Sequence, residues 1–124
     1  MAISIAPKPD PAVVVTKAAL NAAERLGLPA RDLAQVTGVS EAGISRMKNG
    51  VLSFSPGTKP YELAVLFIRL FRSLDALTGG DEAVARAWLR NDNTVLGRRP
   101  LDAIREIAGL TGVIAYLDSR RAIV

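Results

Sequence analysis

From residue 11 onward the apolar residues recur at helical spacing between glycine and proline breaks, and nowhere do they alternate with polar residues over a strand's length. A chain with that single period buries its apolar faces by packing helix on helix. The sequence therefore predicts an all-α protein of about seven helices with no sheet. Asp10 and Pro11 form a cap and first turn for a helix running to Gly27, with Ala19, Ala22, Ala23 and Leu26 on one face. Pro29 opens a second helix through about Thr37, carrying Leu33 and Val36, and Gly38 forces a turn. Ser40 caps a third helix, Glu41 to Asn49, whose inward positions are Ile44 and Met47. Residues 51–59, with Ser53, Ser55, Pro56 and Gly57, read as a connecting loop.

The stretch Pro60 to Leu77 is apolar on nearly every side, with Glu62, Arg69, Arg72 and Ser73 as its polar stripe. Such a helix has to be covered almost all round, either as the central core helix or as part of a dimer seam. Asp81 or Thr78 caps a helix bearing Ala83, Ala87, Trp88 and Arg90, which ends in the turn Asn91, Asp92, Asn93. Pro100 opens a helix expected to stop at Gly109, and Thr111 caps a last one with Val113, Ile114 and Leu117 facing inward. The prolines at 7, 9 and 11 disfavour helix in residues 1–10, which read as a flexible arm.

Composition narrows the function. The 124 residues suffice for one ordinary domain or two small modules sharing a core, and 49% are hydrophobic, a globular proportion. There is no cysteine and no histidine, which removes disulfides, thiolate nucleophiles, Cys/His metal sites and imidazole acid–base chemistry. The carboxylates sit singly along helical stretches without a catalytic partner. Thr78, Gly79, Gly80, Asp81 lacks the Gly-Lys-Ser/Thr of a phosphate loop and follows no strand, so it reads as a turn. We expect no enzyme, no metal and no cofactor. The net charge of +4 is compatible with a polyanionic partner, but it is spread as six basic and four acidic groups over residues 1–58 and ten and eight over 59–124. No apolar core follows a basic start at the N-terminus, and Leu63 to Leu77 is too short to span a bilayer and contains Arg69, Arg72 and Asp75. A cytoplasmic protein with no membrane partner is expected.

The segment Leu26 to Gly50, LGLPARDLAQVTGVSEAGISRMKNG, supplies what a helix-turn-helix needs: Ala34 at the crossing, Gly38 in the turn, and Leu33, Val39 and Ile44 as wedges. It resembles the Xre and phage-repressor helix-turn-helix family over about a fifth of the chain. The resemblance implies that the helix after Gly38 enters the major groove of operator DNA. By position it puts base contact on Glu41, Ala42 and Arg46, with Arg46 forking onto guanine, Glu41 accepting from cytosine and Ala42 touching a thymine methyl. Ser40, Ser45, Lys48 and Asn49 are then phosphate contacts. Gly43 departs from a good helix, and a close backbone approach to DNA is one reading of it.

The stretch Gly79 to Arg121 is similar to the C-terminal domain of Xre/ParS/MbcA-type antitoxins. The residues that carry this are Ala87, Trp88 and Leu89; Asn93, Leu96 and Gly97; Pro100, Leu101 and Ile104; and Gly109, Val113 and Leu117. The resemblance implies a protein that binds a RES-domain, NAD-consuming toxin and represses its own operon, as a homodimer within a hetero-oligomeric complex. It divides the chain into an arm (1–10), a helix-turn-helix domain (11–58) and a helical dimerisation and toxin-binding domain (59–124). The tail Arg120, Arg121, Ala122, Ile123, Val124 is the candidate toxin-blocking element, since arginines suit a pocket built for phosphates; a solvated terminus is the plain alternative. Trp88 is either an interface anchor or a core residue. The competing functions are a free-standing Xre-type repressor with a C-terminal dimerisation domain, and an inhibitor whose helix-turn-helix no longer binds DNA.

Overall fold

The computed structural model of the chain describes residues 8–122, the last of them as backbone only. Within them lie seven helices and no strand, only an isolated bridge between Asn93 and Arg98. The arm at residues 1–7 and the tail at 123–124 lie outside the described residues.

Helix α1, Pro11–Arg25, starts where Asp10 accepts from the Ala12 N–H, with proline in the first turn. Its expected inward residues Ala19, Ala22, Ala23 and Leu26 are all buried. Helix α2 is Ala30–Thr37 and α3 is Glu41–Lys48, both within a residue or two of the positions that the sequence predicts. The chain then crosses a loop whose Phe54 is fully buried; the Phe54 N–H donates to the buried Thr16 hydroxyl at 2.9 Å, tying the loop back to α1.

Helix α4, Lys59–Leu77, is the spine. It packs on α1 and α2 with one part of its surface and on α7 with another, and buries Leu63, Ala64, Phe67, Leu70 and Leu74. Of the two roles its composition allowed, it fills that of core helix, and its neighbours draw both halves of the chain into one hydrophobic cluster. Val65 remains 42% exposed, beside Val14 of α1 in an open apolar groove flanked by Arg69 and Arg72. No helix among the described residues is long and apolar enough to cross a membrane.

Helix α5, Glu82–Arg90, is capped by Asp81, which accepts from the Val84 N–H; the Thr78 hydroxyl instead donates back to the Leu74 carbonyl. The next stretch departs from expectation. In place of a helix from Pro100 to Gly109 there is a short α6, Pro100–Ala103, and α7 starts at Ile107 and runs to Ala122. Gly109 is therefore inside α7, and Thr111 is not a cap: its hydroxyl donates to the Ile107 and Ala108 carbonyls. The reason is a close crossing. The backbone of Gly109 lies against that of Ala103, whose carbonyl oxygen occupies the space any Cβ at 109 would need.

Candidate functional site

The second and third helices are held at their crossing by local chemistry. The Gly38 N–H bonds the Ala34 carbonyl at 2.8 Å, with glycine at φ 80°, a left-handed conformation that disfavours any side chain. The Thr37 hydroxyl donates to the Leu33 carbonyl. Ser40 then accepts from the Gly43 N–H at 3.0 Å and starts α3. With Ile44 and Met47 buried, the other side of α3 faces out: Ser40, Glu41, Ala42, Ser45, Arg46, Lys48 and Asn49 are all exposed. Among the described residues Glu41, Arg46 and Lys48 form no ion pair. The seven candidate contact residues thus share one surface, two of them cationic, with the positive end of α3 and the Ser40 hydroxyl proton at its edge.

Gly43 is not on that surface. It is buried, and a Cβ there would lie 2.6 Å from Val39 Cγ1 and 3.1 Å from Ser40 Oγ. The glycine lets Val39 and the cap close over the first turn of α3. Its purpose is internal packing rather than approach to a ligand, which corrects the expectation from sequence.

A second arrangement joins the two halves. Arg86 of α5 donates from Nε to the Arg25 carbonyl at 2.8 Å and from Nη2 to the Glu24 carbonyl at 3.3 Å. Arg90 donates to the carbonyls of Leu26 and Gly27 at 3.1 and 2.9 Å. Two guanidinium groups thus hold the four carbonyls at the negative end of α1. Nearby, Asp32 of α2 is 6% exposed, and its Oδ1 has no hydrogen bond; Arg31 Nε and Arg105 Nη2 stand at 3.9 and 3.7 Å. Arg105 also donates to Asp102 at 3.3 Å, and Arg99 grips both oxygens of Asp102 at 2.8 and 3.0 Å. The Arg99 hydrogen bond holds the Asp102 carboxyl below its ordinary range.

The C-terminal half has its own scaffold. Trp88 of α5 stacks on Tyr116 of α7, centroids 6.2 Å apart and 15° from parallel, and is only half-buried. The Asn93 side chain accepts from the Val95 and Leu96 N–H groups, and Gly97 closes the loop at φ 74°. Asp118 of α7 accepts from the Ser73 hydroxyl at 2.8 Å and from Arg69 at 2.7 Å, and those bonds keep its carboxyl below the usual carboxylate range.

Comparison with known proteins gives this geometry a context. Residues 7–69 match the family model described as the antitoxin Xre-like helix-turn-helix domain. Residues 73–122 match the antitoxin Xre/MbcA/ParS C-terminal toxin-binding domain. The chain belongs to the Xre/MbcA/ParS antitoxin family. A chain of the crystal structure of the M. tuberculosis MbcT–MbcA toxin–antitoxin complex has the same fold, with a TM-score of 0.68 at 20% identity, covering 90% of this antitoxin and 97% of that chain. None of the curated proteins compared matches the sequence.

The toxin-binding domain of this antitoxin ends in a basic last turn. Arg120 is exposed, while Arg121 leans back and donates to Ser73 Oγ at 3.4 Å. The Ala122 side chain, Ile123 and Val124 lie outside the described residues. What the sequence did not reveal was the inter-half contact. Arg86 and Arg90 meet α1 across 61 to 64 positions of chain, and the only trace of it is their spacing of four, which puts two arginines on one helix face.

Proposed function

We propose that this antitoxin neutralises a RES-domain, NAD-consuming toxin by obstructing its cleft, and that it represses its own operon through α3. The observation that carries the second part is the outward face of α3, where Arg46 and Lys48 are exposed and, among the described residues, form no ion pair, while Ile44 and Met47 anchor the helix. In that role Glu41, Ala42 and Arg46 read base edges, and Ser40, Ser45, Lys48 and Asn49 hold phosphates. The match of residues 73–122 to a toxin-binding domain supports the first part. There Arg120 to Val124 form the blocking element, whose arginines suit a site for the phosphates of NAD. The antitoxin contributes binding and no chemistry of its own, and acts in the cytoplasm.

The net charge of residues 1–58 is only +2, from six basic and four acidic groups, too little for one copy to hold DNA tightly at physiological salt. A homodimer presenting two α3 helices to successive half-sites, within a larger complex with toxin, meets that need. Analytical ultracentrifugation of the free antitoxin reads this directly, a monomer at micromolar concentration arguing against it.

The deciding experiment is co-expression with the product of the adjacent gene, followed by pulldown and an assay of NAD consumption, with and without residues 120–124. A stable complex in which NAD loss is suppressed supports toxin neutralisation, and dependence on the tail places the block there. No complex, together with tight operator binding by the antitoxin alone, leaves a free-standing Xre-type repressor.

A further inference from the structure

We infer that the antitoxin seats its toxin along the outward side of α7, on an uncharged surface bordered by Trp88 and Tyr116, with an apolar element of the toxin crossing close to Gly112. This rests on the function proposed above and names the surface that holds the partner, as distinct from the tail that blocks it.

The first observation is the lack of charge. From Ile107 to Leu117, α7 contains no charged residue. Leu110, Val113, Ile114 and Leu117 are buried on its inner side, whereas Ile107, Ala108, Thr111, Gly112 and Ala115 are exposed on its outer side, Ile107 to 57%. The other helices of eight residues or more place charge where they meet water, as with Lys17 of α1, Arg31 of α2, Arg46 of α3, Arg72 of α4 and Glu82 of α5. Charge is what a solvated helix side ordinarily carries, and an exposed apolar one marks an interaction surface. The hydroxyls do not alter this. Thr111 donates to the Ile107 and Ala108 carbonyls and Ser119 to that of Tyr116, so their protons are spent within α7.

The borders fit an interface. On the α5 side Tyr116, one turn beyond Gly112, stacks on Trp88, and both rings are half-buried. On the α4 side a groove of about 280 Å³ runs beside Ala115, lined by Leu66, Thr111 and Ile114 and closed by Arg69 and Asp118, which pair with each other. Aromatic side chains around a surface depleted of charge are the composition of an interface centre.

Gly112 is the third observation. A glycine inside a helix weakens it relative to alanine. At Gly109 the fold requires this, because the Ala103 carbonyl fills the place of a Cβ; at Gly112 a Cβ would meet nothing within 4 Å. Among the described residues, therefore, nothing needs a glycine there. A backbone left bare on an exposed side admits close approach by a partner.

The occupant follows from the domain. Residues 73–122 match a toxin-binding domain, and within them the arginines of α5 are engaged by carbonyls of the first half, while α6 has only four residues. The outer side of α7 leads directly to the exposed Arg120, so a toxin seated on it lies beside the tail.

The test titrates the full antitoxin into the purified product of the adjacent gene. Ala115→Arg puts a charge in the middle of the surface and should weaken binding by ~100-fold, with an unchanged helical circular dichroism spectrum. Gly112→Ala should raise the Tm of the free antitoxin by ~4 °C, alanine being the better helix former, and yet weaken binding by ~10-fold. The same charge on α1, in Asn21→Arg, should leave affinity within about twofold of wild type. Undiminished binding by either α7 variant overturns the inference, as does an equal loss in Asn21→Arg. If Ala115→Arg instead separates a dimer of the free antitoxin into monomers and still binds the adjacent product fully, the surface joins two copies of this chain and the inference is overturned. If the wild-type antitoxin does not bind that product, toxin neutralisation itself fails, and the seat on α7 with it.

Discussion

Helices α3 and α5 are built alike and use their cations in opposite ways. Each is short, with eight and nine residues, each is started by a side-chain cap, and each carries basic residues toward its end. Each also buries few residues: Gly43, Ile44 and Met47 in α3, Ala85 and Leu89 in α5. In α5 both arginines are taken up by carbonyls at the end of α1 and just after it, so that its charges fasten the helix to the first half of the chain while Ala85, Leu89 and Trp88 pack on the second. In α3 Arg46 and Lys48 are left in solvent, and the helix is fastened by its apolar side. A cation that stabilises the fold and a cation held ready for a partner are thus indistinguishable by residue type or helix position. What separates them is whether an unsatisfied acceptor of the same chain lies within reach.

That contrast is most directly broken by removing the fastened pair. Arg86→Ala/Arg90→Ala leaves the last carbonyls of α1 to water and is expected to destabilise the protein by about 3 kcal/mol, from four hydrogen bonds and the loss of two cations at a helix C-terminus. Thermal unfolding should show a fall in Tm of ~10 °C; a Tm within 2 °C of wild type, about half a kcal/mol, would mean that the clamp contributes nothing to the fold.

Arg46→Ala is the matching change on α3. It should leave Tm unaltered, to within about 0.5 kcal/mol, and weaken operator binding by about 2 kcal/mol, ~30-fold, while relaxing specificity at one base pair. Equal weakening on all sequences would reassign Arg46 to a phosphate. A smaller effect is expected at Gly43. Alanine gains roughly 1 kcal/mol of helix propensity there but forces Val39 aside, for a net destabilisation of about 1 kcal/mol measured by denaturant unfolding. Stabilisation by Gly43→Ala would instead restore the view that the glycine is kept for DNA. Lys48→Ala should act more weakly still: a uniform loss across sequences, with the slope of log affinity against log salt reduced by about 1.

The α3 side of the comparison was largely legible in the sequence, because its determinants are local. Ser40 as cap, Gly38 as turn and Ile44 and Met47 as anchors act within four residues of where they are written. The α5 side was not. Its arginines act on carbonyls more than sixty residues away, and backbone acceptors leave no mark on a sequence. Two glycines show the same limit. Spacing makes Gly109 a helix end and leaves a close approach to DNA as one reading of Gly43, whereas each makes room for one contact, Ala103 for the first and Val39 for the second. Ser73, part of the polar stripe of α4, is buried because Asp118 and Arg121 meet it from α7. Periodicity placed the helices; polar contacts between them needed the fold.

The smallest expected effect concerns charges that fasten α4 to α7, and its sign is set by Asp118. The Ser73 hydroxyl and the Arg69 guanidinium favour its ionised form in the folded protein, so its pKa is lower than in the unfolded chain, where it takes the ordinary value of about 3.9. Above that value the carboxylate is ionised in both states, and its contribution to stability is complete. As the pH falls through 3.9 the unfolded chain takes up the proton first, and the contribution is lost progressively until the folded group protonates as well. Unfolding midpoints should therefore be insensitive to Asp118 from neutral pH to about 5 and should decline below it. Asp118→Asn should lower the midpoint at neutral pH and flatten the decline in acid, since asparagine has no proton to gain. An acid limb as steep in the variant as in the wild type would shift the origin of that limb to Asp102, whose carboxyl is depressed by Arg99 in the same sense. It would leave the α4–α7 contact resting on its apolar side chains, as α3 does.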